Sequence, residues 1–481
     1  MKKILFVLLT VVFLSAPAFS GVEFSEQYFE ELAQSKNKIP EITVPAYERF
    51  ELGNGLIVFL IESHELPVVE ISGYIKGGRS HETPELAGIT DFMIGMMSTG
   101  TANMSEQEMN EYKGLHGTYF GITSKRDYLQ LSGNALIEDS DELISLMADI
   151  LMNPDFKAPY YQRKMMELYQ GLSMARTQDP SLLDMVFFAK LYGDHPYDFD
   201  TDIDLQTSAV QNITPEKLQQ YYDETIAPNT TIIGIAGDFK NRDMKKKIKD
   251  AFSEWQNKGV TLPHQKIIPQ EKNYGRVFII NKPDATQAKI VMGYDVYDNR
   301  YEKYVEHKIA DMVYGSGSFE CRLMDLLRVK KGYAYDARSS VSVNNLGGDY
   351  TVRTEVKPES AYNAYRGIID EMRAIKDEVN PISAKELYKT VNFFNALLPK
   401  FYSDKTDIIN DVMYNMEITR RGADWMNKYI AKYNNMTAGE AQLIFEKKSR
   451  PDDFITVILG QKDLIAPQFE EQGISVEIIE I

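Results

Sequence analysis

Ile213-Thr214-Pro215-Glu216 opens a helical pattern that leads to Pro228-Asn229 and then to the apolar run 230–237, Thr-Thr-Ile-Ile-Gly-Ile-Ala-Gly. Met436-Thr437-Ala438-Gly439-Glu440 opens another, leading to Pro451-Asp452 and the apolar run 455–460. Thr214 to Pro228 and Thr437 to Pro451 are both 14 residues, and Pro228 to Gly237 and Pro451 to Gly460 are both 9. Two matched intervals within one Thr–helix–Pro–strand unit predict a duplicated α+β domain. The first copy is expected over 46–256 and the second over 275–465. The polar stretch 257–274, with Gly259, Pro263 and Pro269, reads as the linker.

The first copy carries further signals. Two alternating runs flank Asn54-Gly55, a hairpin signature, and 67–75 reads as another strand closed by Gly77-Gly78. Ser105 with Glu108 forms a capping box for a helix to about Leu115, and 118–131 alternates like paired strands. Helices are expected at 140–152, 158–178 and 215–224, and 22–45 as an extended or short helical lead-in. The expected architecture is two homologous α+β domains, each a mostly antiparallel sheet with helices packed on one face.

Composition is that of a globular protein, 43% hydrophobic and 26% charged. The net charge of −17 argues against a nucleic-acid backbone or an anionic membrane as the main partner. Met1-Lys2-Lys3, the apolar run 4–14 and Ala18-Phe19-Ser20 read as a signal peptide over 1–20, so the mature chain is expected in the periplasm or secreted. No later run is long and apolar enough to span a membrane. The single cysteine, Cys321, has no partner for an internal disulfide, so core burial must hold the chain together.

Gly88-Ile89-Thr90-Asp91-Phe92-Met93-Ile94-Gly95-Met96-Met97-Ser98-Thr99-Gly100-Thr101 has helical apolar spacing and ends in a Gly-Thr stop. It resembles the signature Gly-x-Ala-His-x-x-Glu-His-Met-x-x-x-Gly-Thr of the pitrilysin/insulinase metallopeptidases. In that family two histidines one helical turn apart bind zinc and the glutamate is the general base. Here Asp91 stands at the first His, Ile94 at the Glu and Gly95 at the second His. The third ligand, a glutamate on a helix about 75 residues downstream in the family, aligns with Gly171, or with Leu172 if the alignment slips by one. Phe120 and Gly121 stand where the resemblance expects an Asn-Ala pair on a substrate-binding edge strand.

The resemblance spans nearly the whole mature chain. It includes Leu-x-Asn-Gly-Leu at 52–56, His195-Pro196-Tyr197, Pro228-Asn229 before Gly237-Asp238, Gln287-Ala288, and Arg328-x-x-x-Gly332-x-Ala334-Tyr335. It points to the branch with one pair of domains per chain, in which two chains close like a clam shell. There an Arg–Tyr pair of one chain faces the partner's zinc and holds the substrate carbonyl. Arg328 and Tyr335 match that pair, and two donors aimed at a developing oxyanion are sound chemistry. The competing reading has Arg328 paired with an acid at a helix end and Tyr335 packed in the sheet.

No other catalytic set is visible. The six histidines, His64, His81, His116, His195, His264 and His307, include no pair three to five residues apart. Glu167 reads as a solvated helix residue, Asp91 as a helix cap or solvated residue, and 315–318 as a flexible rim loop without the lysine a phosphate loop needs. The expectation is a non-catalytic chain without its own cofactor. It would complete a heterodimeric metalloendopeptidase whose paralogous partner holds zinc and whose substrates are peptides. The alternative is a structural or peptide-binding protein of the same fold.

Overall fold

The computed structural model describes residues 25–34, 41–156, 160–262 and 266–480. The leader expected at 1–20 and His264 lie outside them. The described residues form two six-stranded sheets. The first contains β1 (Glu48–Glu51), β2 (Ile57–Glu62), β3 (Val68–Lys76), β4 (Tyr119–Ser124), β5 (Tyr128–Leu136) and β6 (Thr231–Gly237), in the order β1-β2-β6-β3-β5-β4. The second contains β7 (Val277–Asn281), β8 (Ala288–Val296), β9 (Ala334–Val343), β10 (Gly348–Val356), β11 (Ile455–Gly460) and β12 (Val476–Glu480), in the order β12-β7-β11-β8-β10-β9.

The two orders superimpose strand for strand. β2 runs parallel to β6 as β7 does to β11, and the three pairings that follow are antiparallel in both sheets. The repeated units quoted above are the helices Pro215–Thr225 and Ala438–Lys448 with the strands β6 and β11. Only the outermost strands differ: β1 is antiparallel to β2, whereas β12, which lies beyond residue 465, is parallel to β7.

Both faces of each sheet are covered, which explains why β6 and β11 are buried at every position and read as continuous apolar runs. Val58, Leu60, Ile233 and Ile235 face the first half's own helices, while Phe59, Ile61 and Ile232 face Ile409, Val412 and Met413 of the helix Lys405–Met413, which comes from the second half. The exchange is reciprocal. The helix Asp179–Tyr192 of the first half lays Leu182, Val186 and Phe187 on Phe278, Val291 and Val457 of the second sheet. The long helix expected over 158–178 is Tyr160–Ala175, and the covering helix Asp179–Tyr192 follows it after a short break.

Candidate functional site

The frame at 88–101 folds as the helix Ile89–Met97, entered through Gly88 at φ 87° in the left-handed region. Phe92, Met93, Met96 and Met97 are buried in the first core, as their spacing predicts. Its first amides are capped from outside. Glu82, only 1% exposed, accepts hydrogen bonds from the N–H groups of Gly88 (2.8 Å) and Thr90 (3.0 Å). Burial pushes the Glu82 carboxyl up to about 7 despite these bonds.

Asp91 is neither a cap nor a freely solvated residue. It accepts from Arg79 Nε at 3.1 Å and Nη2 at 3.3 Å, and from the Ser124 hydroxyl of β4. Arg79 reaches on to Asp200 at 3.2 Å. Burial works against the Arg79 charge, but Asp91 and Asp200 outweigh it and raise its pKa. Ile94 packs against the core, and Gly95 and Gly171 offer no side chain. A Cβ built at either glycine meets nothing within 4 Å, so space remains where donors are missing. Leu172, the alternative third position, is buried under the covering helix. The helices that carry these positions still pack together, with Phe92 edge-on to Tyr161 at 5.5 Å. Zinc does not fit this set: the one carboxylate is neutralised by a guanidinium, and the other positions hold no donor or base.

Arg328 lies in a π-helical turn, Asp325–Lys330, that follows the short helix Arg322–Met324. Such turns recur at functional sites. The turn closes on Gly332 at φ 63°, with Tyr333 N–H donating to the Leu327 carbonyl at 2.8 Å. Tyr335 is the second residue of β9, but it is 80% exposed and does not pack in the sheet as the competing reading expects. The Arg328 guanidinium stacks 4.6 Å from the Tyr335 ring centre and 5.6 Å from that of Phe319. Among the described residues Arg328 has no ion pair. Six residues earlier, Arg322 is the opposite case. It is held by Glu386 at 2.7 Å and Glu371 at 3.3 Å, and by the carbonyls of Asn380 and Pro381.

No hydrogen bond, ion pair or ring contact among the described residues joins Arg328 or Tyr335 to Asp91, Ile94, Gly95 or Gly171. The two sets lie in different halves. β4, with Phe120 buried and Gly121 beside it, is an edge strand paired only with β5 among the described residues. His195 is buried and accepts from Tyr197 N–H at 3.1 Å, and Glu167 pairs with Lys164 at 2.8 Å. The stretch at 315–318 is not a free rim loop, because Gly315 is buried beneath Ser339 and Leu323.

Two groups escaped the sequence reading because their members are far apart in the chain. Arg126 pairs with Asp200 (3.8 Å) of its own half and Asp349 (3.2 Å) on β10 of the other, and stacks on Phe188, Tyr192 and Tyr197. His116, Asp139 and Glu142 come together, with His116 Nδ1 2.8 Å from Asp139.

Comparison with known proteins agrees with this layout. Residues 57–198 match the family described as insulinase, peptidase family M16, and residues 212–393 match its companion, the peptidase M16 inactive domain. A Bacillus subtilis relative named uncharacterized zinc protease YmxG is 24% identical over 63% of this chain and 72% of its own. A Helicobacter pylori relative named non-peptidase homolog YmxG is 23% identical over 70% of each chain. A crystal structure titled peptidase M16 inactive domain, from Pseudomonas fluorescens, shares the fold with a TM-score of 0.78 at 18% identity, covering 86% of this chain and 98% of that one. With both domain descriptions matched in order across the duplicated fold, the chain belongs to peptidase family M16, the insulinase family.

Proposed function

We propose that this chain is a non-catalytic subunit of an exported heterodimeric zinc metalloendopeptidase. It supplies part of the chamber wall and the Arg328 and Tyr335 contacts, and a paralogous subunit bearing His-x-x-Glu-His supplies the zinc. The observation that carries this reading is the contrast between the two sites. The metal positions are filled by an ion pair, an aliphatic side chain and two glycines, while Tyr335 stands exposed beside a half-buried Arg328 that has no ion pair among the described residues. A guanidinium and a phenol so placed donate to the carbonyl of a bound peptide and to the oxyanion it becomes. The leader-like segment 1–20 supports export.

The test is affinity capture of the tagged mature chain from its own cells. The expected result is a stoichiometric paralogue carrying His-x-x-Glu-His. Recovery of the chain alone, or only with itself, overturns the proposal. A second reading, a peptide-binding or structural protein with no part in proteolysis, draws support from the Helicobacter pylori relative named a non-peptidase homolog. Under that reading Arg328→Ala leaves every activity of the captured complex unchanged.

A further inference from the structure

Of the 17 arginines in this acidic chain, 14 have a carboxylate within 4.0 Å. Among the described residues the three that do not are Arg328 and the adjacent pair Arg420 and Arg421. The pair lies in a cleft between the halves, made of two cavities of about 850 and 250 Å³ that share Asn345, Ile418 and Arg420. Lys76, at the end of β3, lines the same cleft and also lacks an ion pair among the described residues. Burial lowers the Lys76 pKa; Glu417, which lines the same cavity, opposes this, and Arg420 adds to it.

Arg420 has φ 58°, in the left-handed region, where a side chain other than glycine or asparagine costs energy. Arg421 stacks 4.5 Å from Tyr304 and 4.7 Å from Trp425, and donates to the Asn299 carbonyl from one Nη, leaving its remaining N–H groups without a carboxylate. Asp127 and Glu417 line the smaller cavity as well, but Glu417 is paired with Arg49 and Asp127 accepts from the Tyr197 hydroxyl and the Asn345 N–H, so neither lies within 4.0 Å of the Arg420 or Arg421 guanidinium, which leaves that side of the cleft open to an anion. The larger cavity has the size of a small-molecule site, with Tyr301 and Trp425 as apolar walls.

We propose that this junction cleft binds a small oxyanion-bearing ligand, its carboxylate or phosphate held by Arg420, Arg421 and Lys76 and its body lying against Tyr301 and Trp425. Such a ligand touches β3 of one half and the turn at Asn345 of the other, so it clamps the two halves together.

The test is calorimetric titration of the mature chain with inorganic phosphate and, separately, with citrate, at fixed ionic strength set by sodium chloride. Saturable binding of at least one probe is expected, weakened about tenfold or more in Arg420→Gly and retained in Arg420→Lys and in Arg328→Ala. Glycine adopts the left-handed backbone freely, so Arg420→Gly removes the charge without endangering the fold. Binding of phosphate alone identifies a phosphoryl ligand, and binding of citrate alone a carboxylate. No saturable heat with either probe, or binding that Arg420→Gly leaves unchanged, overturns the proposal.

Discussion

The Arg328 guanidinium rests 4.6 Å from the centre of the Tyr335 ring, and among the described residues no carboxylate shares it. A cation–π contact at an exposed site is worth roughly 0.5–1 kcal/mol, so the pair contributes little to folding. Arg328→Ala and Tyr335→Phe are therefore expected to leave the melting temperature nearly unchanged and to leave assembly with the zinc-bearing partner intact. Peptide cleavage by the assembled pair should fall, by about 10²-fold for the arginine if it stabilises an oxyanion. Size-exclusion chromatography and a peptide-cleavage assay on the same samples separate the two effects. A parallel loss of assembly and activity would assign both residues to structure instead.

Arg126 presents the reverse expectation. Burial works against its charge, yet Tyr192, Asp200 and Asp349 together raise its pKa, so it stays a cation between the halves. Replacing it with methionine keeps much of the stem but leaves the Asp349 carboxylate buried without its counter-ion and Asp200 with Arg79 alone. The expected loss is about 3–5 kcal/mol, read as a lowered midpoint in urea. Because Asp349 belongs to the second half, the transition should also become less cooperative.

Glu82 makes the stability of the first half pH-dependent. Its carboxyl titrates near 4.5 when unfolded and is pushed up to about 7 by burial when folded. Between those values the folded chain binds the extra proton, so this group's contribution falls as pH rises from about 4.5 to 7 and is flat outside that window. Glu82→Gln removes the titration. Its effect on stability should accordingly move in the favourable direction between pH 4 and pH 8, by about 3 kcal/mol at most. Urea midpoints of both proteins at the two pH values measure this. A difference that is the same at both would mean that burial does not move the Glu82 pKa away from its unfolded value.

Much of the fold was legible because the duplicated Thr–helix–Pro–strand unit is local and its intervals match. The capping box at Ser105 and Glu108 and the Asn54-Gly55 hairpin were legible for the same reason: each is complete within a few residues. The covering helices were not. Asp179–Tyr192 is apolar on more than one side, which reveals that it is buried but not that it crosses to the second sheet. At the frame, sequence identified the missing ligands but not what replaced them. Arg79 is 12 residues from Asp91 and Asp200 is 121 from Arg79, and no spacing rule connects them. Exposure decided the status of Tyr335, and a strand position alone does not fix exposure at an edge.

Four glycines sharpen the distinction between positions emptied of chemistry and positions constrained by packing. A Cβ on Gly234 of β6 would lie 2.5 Å from Met413 Cε, and one on Gly293 of β8 would lie 2.6 Å from Phe187 Cζ, so each covering helix presses on a glycine of the other half's sheet. Gly234→Ala and Gly293→Ala are expected to cost about 1–3 kcal/mol each through overpacking. The cost should be greater at Gly293, where the rigid Tyr350 carbonyl is close as well. Gly95 and Gly171 sit inside helices with open space in front of them. Gly95→Ala and Gly171→Ala should therefore stabilise the protein by roughly 0.4–1 kcal/mol each, through lower entropy of the unfolded chain and better helix propensity. Thermal unfolding of the four single variants tests all of this with one measurement. Gains at 95 and 171 would mean that the fold makes no demand for glycine at the lost ligand positions, and that restoring side chains there is limited by the Arg79–Asp91 ion pair rather than by space.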